Sequence, residues 1–161
     1  MPADHETNVS ACLALAFFLV VLGLGPGLAQ SEGDPKQGAA AFKMQCVTCH
    51  VIRTPSGELI AGQNGRVSPN LYGVVGKIVA QQAGVPYSRF LRMAGEAELT
   101  WSVDNFTAYV RDPTERLRDV LQEPRARSPT ALRVRDPGDA LDIFAYLALF
   151  SDATAGAVLA E

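Results

Sequence analysis

Apolar positions along the chain form one continuous run, then several separated patches of helical period. The run, Ala11 to Leu24, holds fourteen residues without a charge. It has the length of the apolar core of a secretory signal and falls short of the ~20 residues a membrane-spanning helix needs. Gly27-Leu28-Ala29 then supplies small residues at both key positions of a cleavage site. Residues 1–29 are therefore expected to be an export segment and residues 30–161 the mature domain. The leading MPADHETNVS carries Asp4 and Glu6 and no Lys or Arg, so the signal is atypical in charge. The alternative is an uncleaved membrane anchor.

Beyond Ser31-Glu32-Gly33, Asp34-Pro35 makes a helix opening, with Asp as N-cap and Pro at the first helical position. The spacing predicts a helix from Pro35 to about Gln45, with Gly38, Ala39 and Phe42 on one face. Residues 51–86 are interrupted by six glycines and by Pro55, Pro69 and Pro86, and are expected to be loop. A short helix is expected around Ser88–Gly95. Ser102 caps another, in which Val103, Phe106, Tyr109 and Val110 follow helical spacing until Asp112-Pro113 ends it. A further turn or two covers Thr114–Leu121. Asp136-Pro137 opens the last helix, whose Leu141, Phe144, Tyr146, Leu147 and Phe150 form a broad apolar surface. No strand ladder and no repeat is evident. The fold class is all-α, one domain, with its longest helices at the two ends.

Composition narrows the function. A chain of 161 residues, 48% apolar and 19% charged, is neither a disordered tail nor a polyelectrolyte. The net charge of −3 argues against a dedicated nucleic-acid binder. Removing Asp4 and Glu6 with the export segment leaves 15 acidic residues against 14 basic, a net charge of −1. Cys12 and His5 leave with it too, so the mature chain keeps two Cys and one His. Few chemistries can be built from that set.

Those residues stand together as Cys46-Val47-Thr48-Cys49-His50, the C-x-x-C-H pattern of c-type haem attachment. At a helix end, residues three apart sit on adjacent turns, so both sulfurs can reach the two vinyl groups of one porphyrin. His50 then falls under the ring, where its imidazole can bind the iron. A structural zinc site would need four ligands. A thioredoxin-like pair would need a βαβ setting, which the pattern lacks. Gly73-Val74-Val75-Gly76-Lys77 is a poor phosphate loop, because Ile78 stands where Ser or Thr is required.

Taken together, the first helix, the C-x-x-C-H and the loop after it resemble the class I cytochromes c. The likeness is greatest to the long cytochrome c-two subgroup of purple bacteria, periplasmic relatives of mitochondrial cytochrome c. GDPKQGAAAF, CHVIRTPSGELIAGQNGRVSPNLYGVVGK, Tyr87, LTW at 99–101, AYVRDPT at 108–114 and ALDIFAYLALF at 140–150 carry it, over residues 33–150. The resemblance implies the class I fold, with short helices and long loops wrapped around one covalent haem c. It implies that Gly38 and Phe42 meet Ile143 and Tyr146 where the terminal helices cross. It further implies that the Pro69 carbonyl orients His50, that Tyr87 and Trp101 hydrogen-bond a haem propionate, and that Tyr109 lies on the distal side.

One position departs from the family. Thr130, in Ala126-Arg127-Ser128-Pro129-Thr130, stands where the family pattern places the Met that is the sixth iron ligand, and no Met follows Met93. A hydroxyl is a poor ligand for ferrous haem, so an open or unusual sixth position is expected. The expected function is that of a periplasmic, monomeric one-electron carrier and not an enzyme. The alternative is a haem protein that binds or senses carbon monoxide, nitric oxide or peroxide. Residues 111–135 hold seven Arg against four acids, which marks a candidate docking region for an acidic redox partner.

Overall fold

The computed structural model describes residues 33–63 and 68–151. The expected export segment, with Cys12 and His5, lies outside the described residues. Five helices are present among them: α1 (Pro35–Gln45), α2 (Arg89–Glu96), α3 (Val103–Arg111), α4 (Pro113–Leu121) and α5 (Pro137–Ala148). None is long and apolar enough to cross a membrane.

Three Asp-Pro pairs set the helix starts. The Asp34 carboxylate accepts from the Lys36 N–H at 2.8 Å, Asp112 from Glu115 at 3.0 Å and Asp136 from Gly138 at 2.8 Å. Each satisfies a donor that the first helical turn leaves open, while the following Pro has no N–H to satisfy. Asp112 both ends α3 and starts α4, because its own N–H donates to the Ala108 carbonyl at 3.0 Å.

The terminal helices α1 and α5 form the most extensive helix contact. A Cβ on Gly38 would lie 1.9 Å from the Asp142 carbonyl oxygen and 2.9 Å from Tyr146 Cβ, so only glycine permits this crossing. One turn on, the Phe42 and Tyr146 rings pack with centroids 5.7 Å apart, and Ile143 is buried in the same cluster. The start of α1 is tied across as well, the Asp34 N–H donating to Asp142 Oδ1 at 2.7 Å.

Two clusters make up the core. The first gathers Phe42, Cys46, Ile52, Phe106, Ile143 and Phe144 with their neighbours; the second gathers Val79, Ala94, Tyr109, Leu117 and Ala126. Trp101 packs against both, edge-on to Phe106 at 6.3 Å and to Tyr109 at 5.1 Å. Phe42 is 1% exposed, and burying such a ring contributes about 2–3 kcal/mol.

The segment expected to be loop contains a small hairpin. β1 (Ile52–Arg53) pairs antiparallel with β2 (Leu59–Ala61). A tight turn closes it: Gly57 N–H donates to Thr54 O at 3.0 Å, and Thr54 Oγ1 accepts from the Glu58 N–H at 3.0 Å. Strands of two and three residues are too short for alternation to be visible, so only the turn signal at Gly57 was available.

Candidate haem site

The last turn of α1 delivers the C-x-x-C-H. Cys46 N–H closes the helix onto Phe42 O at 2.8 Å, and both Cys49 and His50 donate back to Cys46 O, at 3.1 and 2.9 Å. The chain thus keeps turning through His50, and the two sulfur-bearing residues share one end of α1. Both thiols are free, Cys46 buried in the first core cluster and Cys49 exposed. Burial, with the nearby Cys49 as a smaller cause, pushes the Cys46 thiol up to about 12, so it is protonated at neutral pH.

His50 is half-buried, with Nδ1 2.9 Å from the Pro69 carbonyl oxygen. Burial lowers its pKa, opposed by that hydrogen bond, and so favours the neutral ring. A carbonyl only accepts, so in the neutral ring Nδ1 carries the proton and Nε2 keeps its lone pair for a metal. The backbone around the pair is fixed from two sides. Leu71 N–H donates to Val51 O at 2.8 Å, and the Asn70 side chain accepts from Arg53 N–H at 2.9 Å while donating to Arg53 O at 2.8 Å. Asn70 thus clamps the Pro69 segment to β1, which begins two residues after His50. Gly62, at φ +97°, passes so close that a Cβ there would lie 2.5 Å from His50 O. Neither Asn70 nor Gly62 was expected from sequence as part of the site. Gly62 showed only as a loop glycine, and Asn70 meets its partner 17 residues away.

The other expected residues take these places. The Tyr87 hydroxyl accepts from the Gln82 backbone N–H, and burial raises its pKa against that bond. Trp101 joins the two core clusters, its main-chain N–H donating to Lys77 O at 2.9 Å. Tyr109 is buried on α3, its hydroxyl 3.0 Å from Ser128 Oγ and 3.4 Å from Thr130 Oγ1. Thr130 is exposed, and its N–H donates to Ser128 Oγ at 3.1 Å. The loop bearing it is pinned to α3 and α4 by Ser128 N–H to Thr114 Oγ1 (3.2 Å), Arg118 Nε to Ala126 O (3.2 Å), Val134 N–H to Val110 O (2.8 Å) and the Arg133–Asp112 ion pair (3.1 Å). Met44 is 82% exposed on α1, and Met93 lies on α2.

The Arg-rich stretch is partly neutralised. Arg133 pairs with Asp112, Arg118 with Glu115 at 3.7 Å and Arg125 with Glu123 at 3.3 Å. Arg111, Arg116, Arg133 and Arg135 line an open groove of about 740 Å³ between α3, α4 and the chain before α5.

The donor set suits a haem and not a bare ion. Among the described residues no three His, Cys, Asp or Glu side chains gather to hold a metal. One imidazole nitrogen is offered beside two free thiols, which fits a group that brings four nitrogens of its own and is held covalently.

Comparison with known proteins agrees. No family model matches the chain. It is 42% identical over 141 residues to cytochrome c2 of Cereibacter sphaeroides, covering 87% of this chain and 93% of that protein. It is 45% identical over 117 residues to cytochrome c2 of Rhodovulum adriaticum, covering 73% and 92%. The X-ray structure of cytochrome c2 from Rhodobacter sphaeroides superposes with a TM-score of 0.72 at 40% identity, covering 74% of this chain and 98% of that one. With its helix crossing and its C-x-x-C-H-bearing helix end, the chain belongs to the cytochrome c2 family of class I c-type cytochromes, single-haem electron carriers with one covalently attached haem c.

Proposed function

We propose that this protein is an exported, periplasmic one-electron carrier whose sixth iron position is not filled by a methionine. The observation that carries the carrier reading is the His50–Pro69 hydrogen bond, which presents Nε2 as a ligand of fixed orientation beside two free thiols. When bound, the haem supplies one iron that alternates between ferric and ferrous, so an electron moves while no substrate bond is made or broken.

The chain's own residues then have these parts. Cys46 and Cys49 would hold the haem through thioether links, and His50 would offer Nε2 to its iron. The Pro69 carbonyl raises the basicity of the imidazole and stops its rotation. Tyr87, whose oxygen already accepts from Gln82, keeps its own proton for a haem propionate, and the Trp101 indole N–H is the second donor. By the resemblance, Tyr109 and Thr130 would serve the sixth iron position, Thr130 at the place of the family's Met.

Residues 1–29 direct export, and 30–161 form the cytochrome domain, which acts as a monomer. The arginines of 111–135 form a docking face for an acidic redox partner. Because several are already paired with carboxylates, this face steers more than it grips.

The test is an optically followed potentiometric titration of the purified holoprotein. A reversible one-electron transition supports the carrier reading. An iron that cannot be cycled reversibly overturns it.

A further inference from the structure

Three hydroxyls meet in the loop between α4 and α5, and their proton count does not close. Ser128 Oγ receives the Thr130 N–H at 3.1 Å, so one of its lone pairs is taken by a donor that cannot be reversed. The remaining contacts are Tyr109 to Ser128 at 3.0 Å and Tyr109 to Thr130 at 3.4 Å. The three hydroxyls bring one proton each, and these two contacts use only two of them. One O–H is left to donate outside the group. The amide bond into Ser128 polarises its hydroxyl as a donor, which favours the sequence Ser128 to Tyr109 to Thr130. The spare proton is then on Thr130.

We infer that Ser128, Tyr109 and Thr130 form a hydrogen-bond relay that donates to a small anionic ligand entering the sixth position. The inference rests on the reading that Thr130 occupies the place of the family's Met. The ligand class follows from the charge: a spare donor at the end of a polarised chain favours an anion with accepting lone pairs over carbon monoxide, a weak acceptor. Tyr109 is a positioning residue here. It is buried, with its ring held edge-on against Trp101, and it acts through Thr130. The loop cannot readily turn the hydroxyls away, because Thr114, Arg118 and Asp112 hold it to α4.

The test compares two probes on the full-length holoprotein: azide binding to the ferric form and carbon monoxide binding to the ferrous form. Removing one charge-assisted donor corresponds to about ten- to a hundredfold in affinity. Tyr109→Phe keeps the Thr130 hydroxyl but removes the group that orients and polarises it, and is expected to weaken azide by about two- to fivefold while leaving carbon monoxide within twofold. Thr130→Val, a near-isosteric change at an exposed position, removes the donor itself and is expected to weaken azide by the full factor with carbon monoxide again within twofold, which keeps the test sound should Tyr109→Phe fold poorly. Azide affinity unchanged in both variants overturns the relay while leaving the open sixth position standing. If the wild type binds neither probe and its ferric spectrum shows sulfur ligation, the reading of Thr130 fails and the relay fails with it.

Discussion

His50 and Pro69, 19 residues apart in sequence, meet through a 2.9 Å hydrogen bond between imidazole Nδ1 and a main-chain carbonyl. The bond is as good as the backbone that carries the carbonyl, and Asn70 holds that backbone. Its side chain serves Arg53 N–H, Arg53 O and Tyr72 N–H, the last at 3.1 Å. Asn70→Ala removes three hydrogen bonds to partly buried backbone groups and is expected to cost about 2–3 kcal/mol in denaturant unfolding. The looser imidazole should also broaden or shift the haem spectrum of the folded variant. A variant with wild-type stability and spectrum would show that Asn70 does not position the site.

The α1–α5 crossing depends on Gly38. Gly38→Ala would drive a Cβ into the Asp142 carbonyl, a backbone atom that cannot swing aside, so the helices must separate. A loss of about 3 kcal/mol is expected, despite the better helix propensity of alanine. At the exposed position of Ala40 on the same helix, Ala40→Gly should cost only about 1 kcal/mol. The pair of denaturation curves separates the steric effect from propensity.

The thioether links can be read on a denaturing gel. Haem should stay with the unfolded chain and stain for peroxidase activity. Cys49→Ala, at the exposed sulfur, should keep some stain through Cys46, and replacing both cysteines should abolish it. A stained band in the double variant would exclude covalent attachment through this motif.

Asp112 gives the stability a pH dependence of definite sign. The Glu115 N–H and then the Arg133 guanidinium hold its carboxyl below the usual aspartate range. A depressed folded-state pKa means stabilisation that is complete above the ordinary aspartate value and lost as pH falls through the depressed one. Asp112→Asn keeps a capping oxygen but not the charge, so it should flatten this acid limb and lower neutral stability by about the amount the wild type loses on acidification. Asp112→Ala should cost about 1 kcal/mol at neutral pH through the lost cap. Equal acid limbs for wild type and Asp112→Asn would remove this carboxylate from the account.

What was legible in the sequence was local. Asp34-Pro35, Asp112-Pro113 and Asp136-Pro137 mark helix starts because a cap and its targets lie within three residues. The C-x-x-C-H was legible because its spacing is its chemistry. The crossing at Gly38 and the Pro69 bond to His50 came from family resemblance, and the geometry agrees with both. The β1–β2 hairpin escaped because strands of two and three residues carry no period. Asn70 and Gly62 escaped because the atoms they meet are brought there by the chain's return, which no spacing records. The contacts among Tyr109, Ser128 and Thr130 span 19 and 21 residues and were equally hidden, although two of the three residues had been singled out.

The ferric near-infrared spectrum of the wild-type holoprotein tests the central claim most directly. On the proposed reading that Thr130 stands in place of the family's Met, and with Met44 exposed on α1 and Met93 on α2, no sulfur-to-iron band should be present. Thr130→Met should introduce the band and raise the potential if Pro129 lets the sulfur reach the iron. A clear sulfur-to-iron band in the wild type would contradict the account: a methionine would then hold the sixth position, and Thr130 would not stand at the iron.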